Sequence, residues 1–177
     1  PYRFRRDLLS KSPRHLGVLD LAAEKAGWGK TLPVGRALGI AVHESFDSFC
    51  AMVAEVSIEN HKPRVHRVVV GIDVGVVIYP DGVKAQVESG IVFGLSSAIK
   101  QEAITIENGV VAQSNFHDFE VLRIEECPDI EVHLVESDAP PTGCGETTVP
   151  PISPAVANGL FVLTQKRIRE MPFPRVG

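Results

Sequence analysis

The chain has 177 residues, 44% of them hydrophobic and 23% charged, with a formal net charge of −4; this is an ordinary globular composition, long enough to bury roughly two thirds of the surface the unfolded chain exposes. Acids and bases are interspersed, which excludes a dedicated nucleic-acid surface, and no apolar run approaches the roughly 20 residues of a membrane-spanning helix. The three cysteines, Cys50, Cys127 and Cys144, are widely spaced without a CxxC pair, so neither a zinc site nor a disulfide framework is indicated; a reducing compartment is mildly favoured, with cytoplasm and periplasm both open.

Residues 4–9 read as the end of a helix, and with Pro1 rather than Met in first place they suggest a chain cut from something longer. Ser12-Pro13 then reads as the cap and first turn of a helix in which Leu16, Leu19, Ala23 and Ala26 recur at helical spacing, stopped by Gly27 and Gly29, with Trp28 as a core anchor. From 37 to 76 the pattern is β. The runs 39–42, 50–58 and 65–74 are rich in Val and Ile, and Asn60-His61-Lys62-Pro63 makes a turn between two of them. Alternation of Met52, Ala54, Val56 and Ile58 puts one face of a strand on a core. The nearly continuous run Val68, Val69, Val70 and Ile72 is that of a strand covered on both sides.

Pro80-Asp81 open the longest helix, predicted to reach about Gln101, with Val83, Val87, Ile91, Leu95, Ala98 and Ile99 in one stripe. Its small residues, Ser89, Gly90, Gly94, Ser96 and Ser97, are poor helix formers, glycine costing about 1 kcal/mol relative to alanine. Something therefore comes close, either a neighbouring element or a cofactor approaching bare backbone, and both readings stand. A hairpin over 103–113 turns at Asn108-Gly109, residues 121–124 extend it, and 130–135 alternate as a further strand. Ser153-Pro154 cap a last helix from Ala155 to about Arg167, and 171–174 form a tail. These elements predict an α+β (mixed α/β) fold: one domain over 1–177, with a single sheet of about five to seven strands packed by two main helices.

Between the last strand and the last helix lies Pro140-Pro141-Thr142-Gly143-Cys144-Gly145-Glu146-Thr147-Thr148-Val149-Pro150-Pro151. Glycines bracket a cysteine, a carboxylate follows, and proline pairs stiffen both sides, so the loop can hold one acid in a fixed place as a general base. A plain surface turn uses the same residues. The backbone amides of 143–146 can also form an anion-binding nest. Cys144 is either a small apolar loop residue or a nucleophile served by His117 or His43. The six histidines meet no ligand spacing, so satisfied structural roles are expected of His43 and His117 and no protein-ligated metal is expected.

Several segments in collinear order carry a resemblance. Gly143-Cys144-Gly145-Glu146 with Pro150-Pro151-Ile152-Ser153-Pro154-Ala155-Val156-Ala157-Asn158 resembles a segment of the molybdenum hydroxylases, the xanthine dehydrogenase and aldehyde oxidase family. Arg36-Ala37-Leu38-Gly39-Ile40-Ala41-Val42-His43-Glu44-Ser45-Phe46 and Asn115-Phe116-His117-Asp118-Phe119 look most like the large, molybdopterin-binding subunit of its isoquinoline 1-oxidoreductase branch and the aldehyde-oxidising relatives. Asp73-Val74-Gly75, Pro80 and Gln86-Val87-Glu88 match the segment that borders the pterin.

The resemblance implies that Glu146 is the general base of a water-derived hydroxylation of an N-heteroaromatic compound or aldehyde. It implies that Gly143, Cys144, Gly145, Ser89, Gly90 and Phe93 border a molybdenum-pterin cofactor, in a dinucleotide form, held through the pterin rather than by protein ligands. Ser89 and Phe93 stand where family members carry Gly and often Gln, and Thr147-Thr148 replaces the usual residues after the glutamate. The chain would then be the C-terminal portion of such a subunit, partnered by the upstream part of the same subunit, a small iron–sulfur subunit and a small-molecule substrate. By itself it would bind no cofactor and be inactive. A non-catalytic binding or assembly module of the same fold is the alternative, and a Cys144 hydrolase a distant third.

Overall fold

The computed structural model describes residues 1–100 and 103–176. Two helices come first, α1 (Tyr2–Leu8) and α2 (Pro13–Ala26). Proline occupies the first turn of α2, where its missing N–H would have no intrahelical partner. Gly27 ends the helix in the left-handed region (φ 69°), its N–H on the carbonyls of Ala23 and Glu24.

Three long antiparallel strands follow, β1 (Ala37–Ser45), β2 (Ser48–Glu59) and β3 (Lys62–Asp73). Both hairpins use two-residue turns with left-handed residues, Phe46 and Asp47 (φ 55° and 58°) and Asn60 and His61 (φ 52° and 63°). The Asn60 turn was legible, and it is shorter than expected because Lys62 and Pro63 already belong to β3. The Phe46 turn was not, since a bulky residue at positive φ is uncommon and sends no signal.

Next comes α3 (Pro80–Leu95), continued by a π-helical turn, Ser96–Lys100. The expected end at Gln101 lies outside the described residues. A small hairpin, β4 (Ile106–Glu107) and β5 (Val110–Val111), turns at Asn108-Gly109 as predicted. Residues 121–124 do not extend it; short 3-10 turns at Phe116–Asp118 and Ile124–Glu126 lead instead to β6 (Asp129–Leu134). The last helix is α4 (Val149–Thr164).

The main sheet has four strands in the order β1-β2-β3-β6, with β6 parallel to β3 and β4-β5 paired separately. The expected five to seven strands are therefore too many. Helices cover both faces of the sheet. On one side Val87, Ile91 and Leu95 of α3 and Ile152, Val156 and Leu160 of α4 pack on Met52, Ala54, Val68 and Val70. On the other, Val18, Leu19, Ala22 and Ala23 of α2 pack on Ile40, Ala51 and Val53. Thus α2 adds a third main helix to the expected two, and β2 buries both faces rather than the one its alternation announced. Small Ala51 helps hide that second face, which it shares with Val53, from a pattern search, because alanine is weakly apolar.

α4 starts a full turn earlier than Ser153. Pro150 and Pro151 sit in its first turn, where no intrahelical N–H bond is lost. It ends at Thr164, with Gln165 in the left-handed region (φ 58°), short of the expected Arg167. The final segment is packed rather than a loose tail: Phe173 N–H donates to the Ala98 carbonyl at 2.7 Å and Val176 N–H to that of His61 at 2.9 Å.

Candidate functional site

Residues 140–148 are held on the sheet end where β3 and β6 finish. Val135 N–H donates to Ile72 O (2.8 Å), Val76 N–H to Ala139 O (2.9 Å) and Thr142 N–H to Val74 O (3.0 Å), so the ladder continues past both strands. Gly75 sits at φ +71°, and a Cβ there would lie 2.1 Å from the Pro140 carbonyl; only glycine fits. Asp73, 3% exposed, anchors this corner. Its carboxylate accepts a bidentate pair from Arg14 (2.7 and 2.7 Å) and the Gly75 N–H (2.9 Å). The Arg14 guanidinium holds the Asp73 carboxyl below the usual carboxylate range against the upward push of burial, and the Gly75 N–H adds to the lowering. Arg14 in turn lies over the Phe49 ring, 4.2 Å from its centroid.

Hydroxyls pin the loop itself. Ser48, fully buried at the start of β2, donates to Gly143 O (2.7 Å) and pairs with the Thr142 hydroxyl (2.6 Å). Thr147 and Thr148 are fully buried, the first donating to Gly143 O (3.3 Å) and the second to Val87 O of α3 (3.1 Å). Thr147 thus closes the loop on itself, and Thr148 ties it to the helix. Between them and the glycines, Glu146 is exposed, its own carbonyl accepting from Val149 N–H (3.0 Å). The burial that a carboxylate base acting near neutral pH requires is not supplied by the described residues.

The question left open for α3 has a structural answer at two positions. A Cβ on Gly90 would lie 2.2 Å from Thr148 Oγ1, and one on Gly94 2.4 Å from Ile152 and 2.8 Å from the Val149 carbonyl. The start of α4 fills that face, so the close approach that both glycines allow is met here by helix packing. Ser89 and Phe93 (56% exposed) lie on the outer face of α3, away from Gly90. Gly145 has open space at its α-carbon, whereas Gly143 lies against Phe46. Cys144 packs as a half-buried apolar residue on the main core, beside a cleft of about 330 Å³ lined by Val74, Val77, Tyr79, Val83 and Thr142. Cys50 is fully buried, which pushes its thiol well above the ordinary range and leaves it inert.

Sequence reasoning missed Arg14 and Ser48, whose roles depend on strands meeting a loop some 60 to 95 positions away. It also took His43 for a satisfied residue. Among the described residues, His43 Nε2, Ser45 Oγ and His133 Nε2 are buried without a hydrogen-bond partner. His43 lies opposite Cys50 and Ser45 opposite Ser48, so both share the sheet face that carries Ser48 and the Gly143 contact. Buried polar atoms left unpaired are costly, and His43 and Ser45 place two of them on this face. His117 is exposed, 3.2 Å from Asp118, with no part in this corner.

The fold is that of molybdenum hydroxylase domains: quinoline 2-oxidoreductase from Pseudomonas putida 86 superposes with a TM-score of 0.63 at 21% identity, over 71% of this chain and 17% of that one. Residues 36–128 match the molybdopterin cofactor-binding domain model, and the chain belongs to that family. It is 37% identical to the isoquinoline 1-oxidoreductase β subunit of Brevundimonas diminuta and 30% identical to the membrane-bound aldehyde dehydrogenase (pyrroloquinoline-quinone) of Gluconacetobacter polyoxogenes; each comparison takes in 97% of this chain. The chain spans only 22% and 25% of the length of these two relatives.

Proposed function

We propose that the chain is one domain, the C-terminal portion of a molybdopterin-dependent hydroxylase subunit, with Glu146 as general base. The observation that carries this is the loop: Ser48, Thr147 and Thr148 fix residues 142–148 from both ends and leave the Glu146 side chain as the free acid at the corner. The unpaired His43 Nε2 and Ser45 Oγ on the same sheet face, and the open α-carbon of Gly145, suit a polar cofactor lying against this corner. They, with the amides of 143–145, are the groups that would hold it. When bound, the molybdenum-pterin cofactor supplies a centre that activates water for transfer of its oxygen to an electron-poor carbon. Glu146 takes the proton that water gives up, a role that needs it desolvated. Because it is exposed here, the wall around it comes from the upstream part of the subunit. The substrate class is an N-heteroaromatic compound or an aldehyde, and the electrons leave through a small iron–sulfur subunit.

In the full-length enzyme, Glu146→Gln should lower turnover about 10²- to 10⁴-fold with molybdenum content unchanged. Near-normal turnover in that variant refutes the role. The isolated chain should contain no molybdenum by elemental analysis and oxidise neither isoquinoline nor an aldehyde.

A further inference from the structure

The connection between α3 and β6 carries a surface that does not suit water. Every residue of 103–119 except Gln113 is exposed, including Ile104 (49%), Ile106 (70%), Val111 (51%) and Phe116 (90%). Ile106 lies opposite Val111 in the β4-β5 pair, and Ile104, two residues back, falls on the same face. The hairpin keeps its shape through its own bonds: Ala112 N–H donates to Thr105 O (3.0 Å) and Thr105 N–H to Gln113 Oε1 (3.0 Å). Its root is firmly tied to the body. Leu122 N–H donates to the buried Ser96 hydroxyl (2.9 Å), Lys100 pairs with Glu126 (2.7 Å), and Arg64 donates to the Glu126 carbonyl (3.2 Å). A rooted arm therefore presents an unpartnered apolar face. Two-stranded hairpins are marginal alone in water, and contiguous exposed apolar surface marks an interaction site.

We propose that this face of the β4-β5 hairpin docks on the part of the parent subunit outside this chain, as an interface within one polypeptide. The proposal rests on the reading of the chain as a portion of a larger subunit. Two observations commit it to that occupant. The curated relatives align with 97% of this chain, yet that alignment takes up only 22% and 25% of their length, so most of each subunit is available to cover the arm. The family match over 36–128 runs across the whole hairpin, so the arm is part of the shared domain and not an insertion peculiar to this chain.

The test replaces the aligned segment of the Brevundimonas diminuta subunit with this chain and follows amide exchange of residues 106–111. Exchange should be slower by a factor of about ten or more in the chimera than in the isolated chain, and the double substitution Ile106→Ser, Val111→Ser should restore it. Equal exchange in the two overturns the proposal. If the chimera does not fold, the matching hairpin of the relative's own subunit is measured, and an unprotected hairpin there overturns it as well. A concentration-dependent dimer of the isolated chain that the two serines abolish assigns the face to a second copy and also overturns it. The readout does not depend on molybdenum: a protected hairpin in a metal-free, inactive chimera supports the docking and counts against the enzymatic reading alone.

Discussion

The loop at 140–148 and the arm at 103–119 both connect helices and strands of the body, yet the body of the protein treats them in opposite ways. The loop is bonded to β2, to the residue that follows β3 and to α3 through Ser48, Val74 and Val87, and its Thr147 and Thr148 are fully buried. Among the described residues the arm bonds only to itself between residues 105 and 118, and all of it but Gln113 is exposed. A segment fixed by buried hydroxyls has its geometry set before any partner arrives, whereas an exposed apolar segment has a face still to be covered. The candidate site is thus preorganised by this chain, and its surroundings are not.

Removing the corner beneath the loop is the harshest way to break that contrast. Arg14→Met leaves Asp73 buried with its charge uncompensated, which should cost about 3 kcal/mol, the low end for breaking such a pair because Arg14 keeps some contact with water. The sign of the pH dependence follows from the lowered pKa of Asp73. The pair's contribution is fully present above the unfolded carboxyl pKa of about 3.9 and is lost as pH falls through the lower folded value. Urea unfolding of wild type and variant should therefore differ most at neutral pH and converge in acid. A gap that persists undiminished at the acid end contradicts the assignment.

A smaller effect is expected from Ser48→Ala. It leaves the Gly143 carbonyl and the Thr142 hydroxyl short of a buried partner, at a cost of about 1–3 kcal/mol, and it should speed amide exchange across 142–146 while leaving the arm unchanged. If exchange in the loop does not respond, the loop is held by the threonines alone.

What was legible in the sequence follows the same division. Helices with a Pro start and a Gly stop, strands with β-branched runs and the Asn108-Gly109 turn are local signals, and they were placed to within a few residues. The Phe46-Asp47 turn, the second buried face of β2 and the Arg14–Asp73 pair are not local, since each depends on what tertiary contact supplies. Gly90 and Gly94 were visible as anomalies, but only Thr148 and Val149 arriving from 55 to 59 positions away say what approaches them. Glu146 was legible as a motif, while its exposure was not, because burial of a loop carboxylate is set by what packs around it in three dimensions.

The mildest substitution is the sharpest test of the other half of the comparison. Ile106→Ser in the isolated chain removes an apolar side chain that is 70% exposed, so little buried area is lost. Serine also has weaker β-propensity than isoleucine, which frays a hairpin whose residues support nothing else. Surface changes of this kind fall within about 0.5 kcal/mol of zero, and the urea midpoint of the isolated chain should not move beyond that. The same substitution in a chain whose arm is covered removes an anchor from a packed interface, where losing a large apolar side chain costs about 2–5 kcal/mol. A loss of that size already in the isolated chain would mean that the arm folds back on its own body, and the contrast between the two connections would vanish with it.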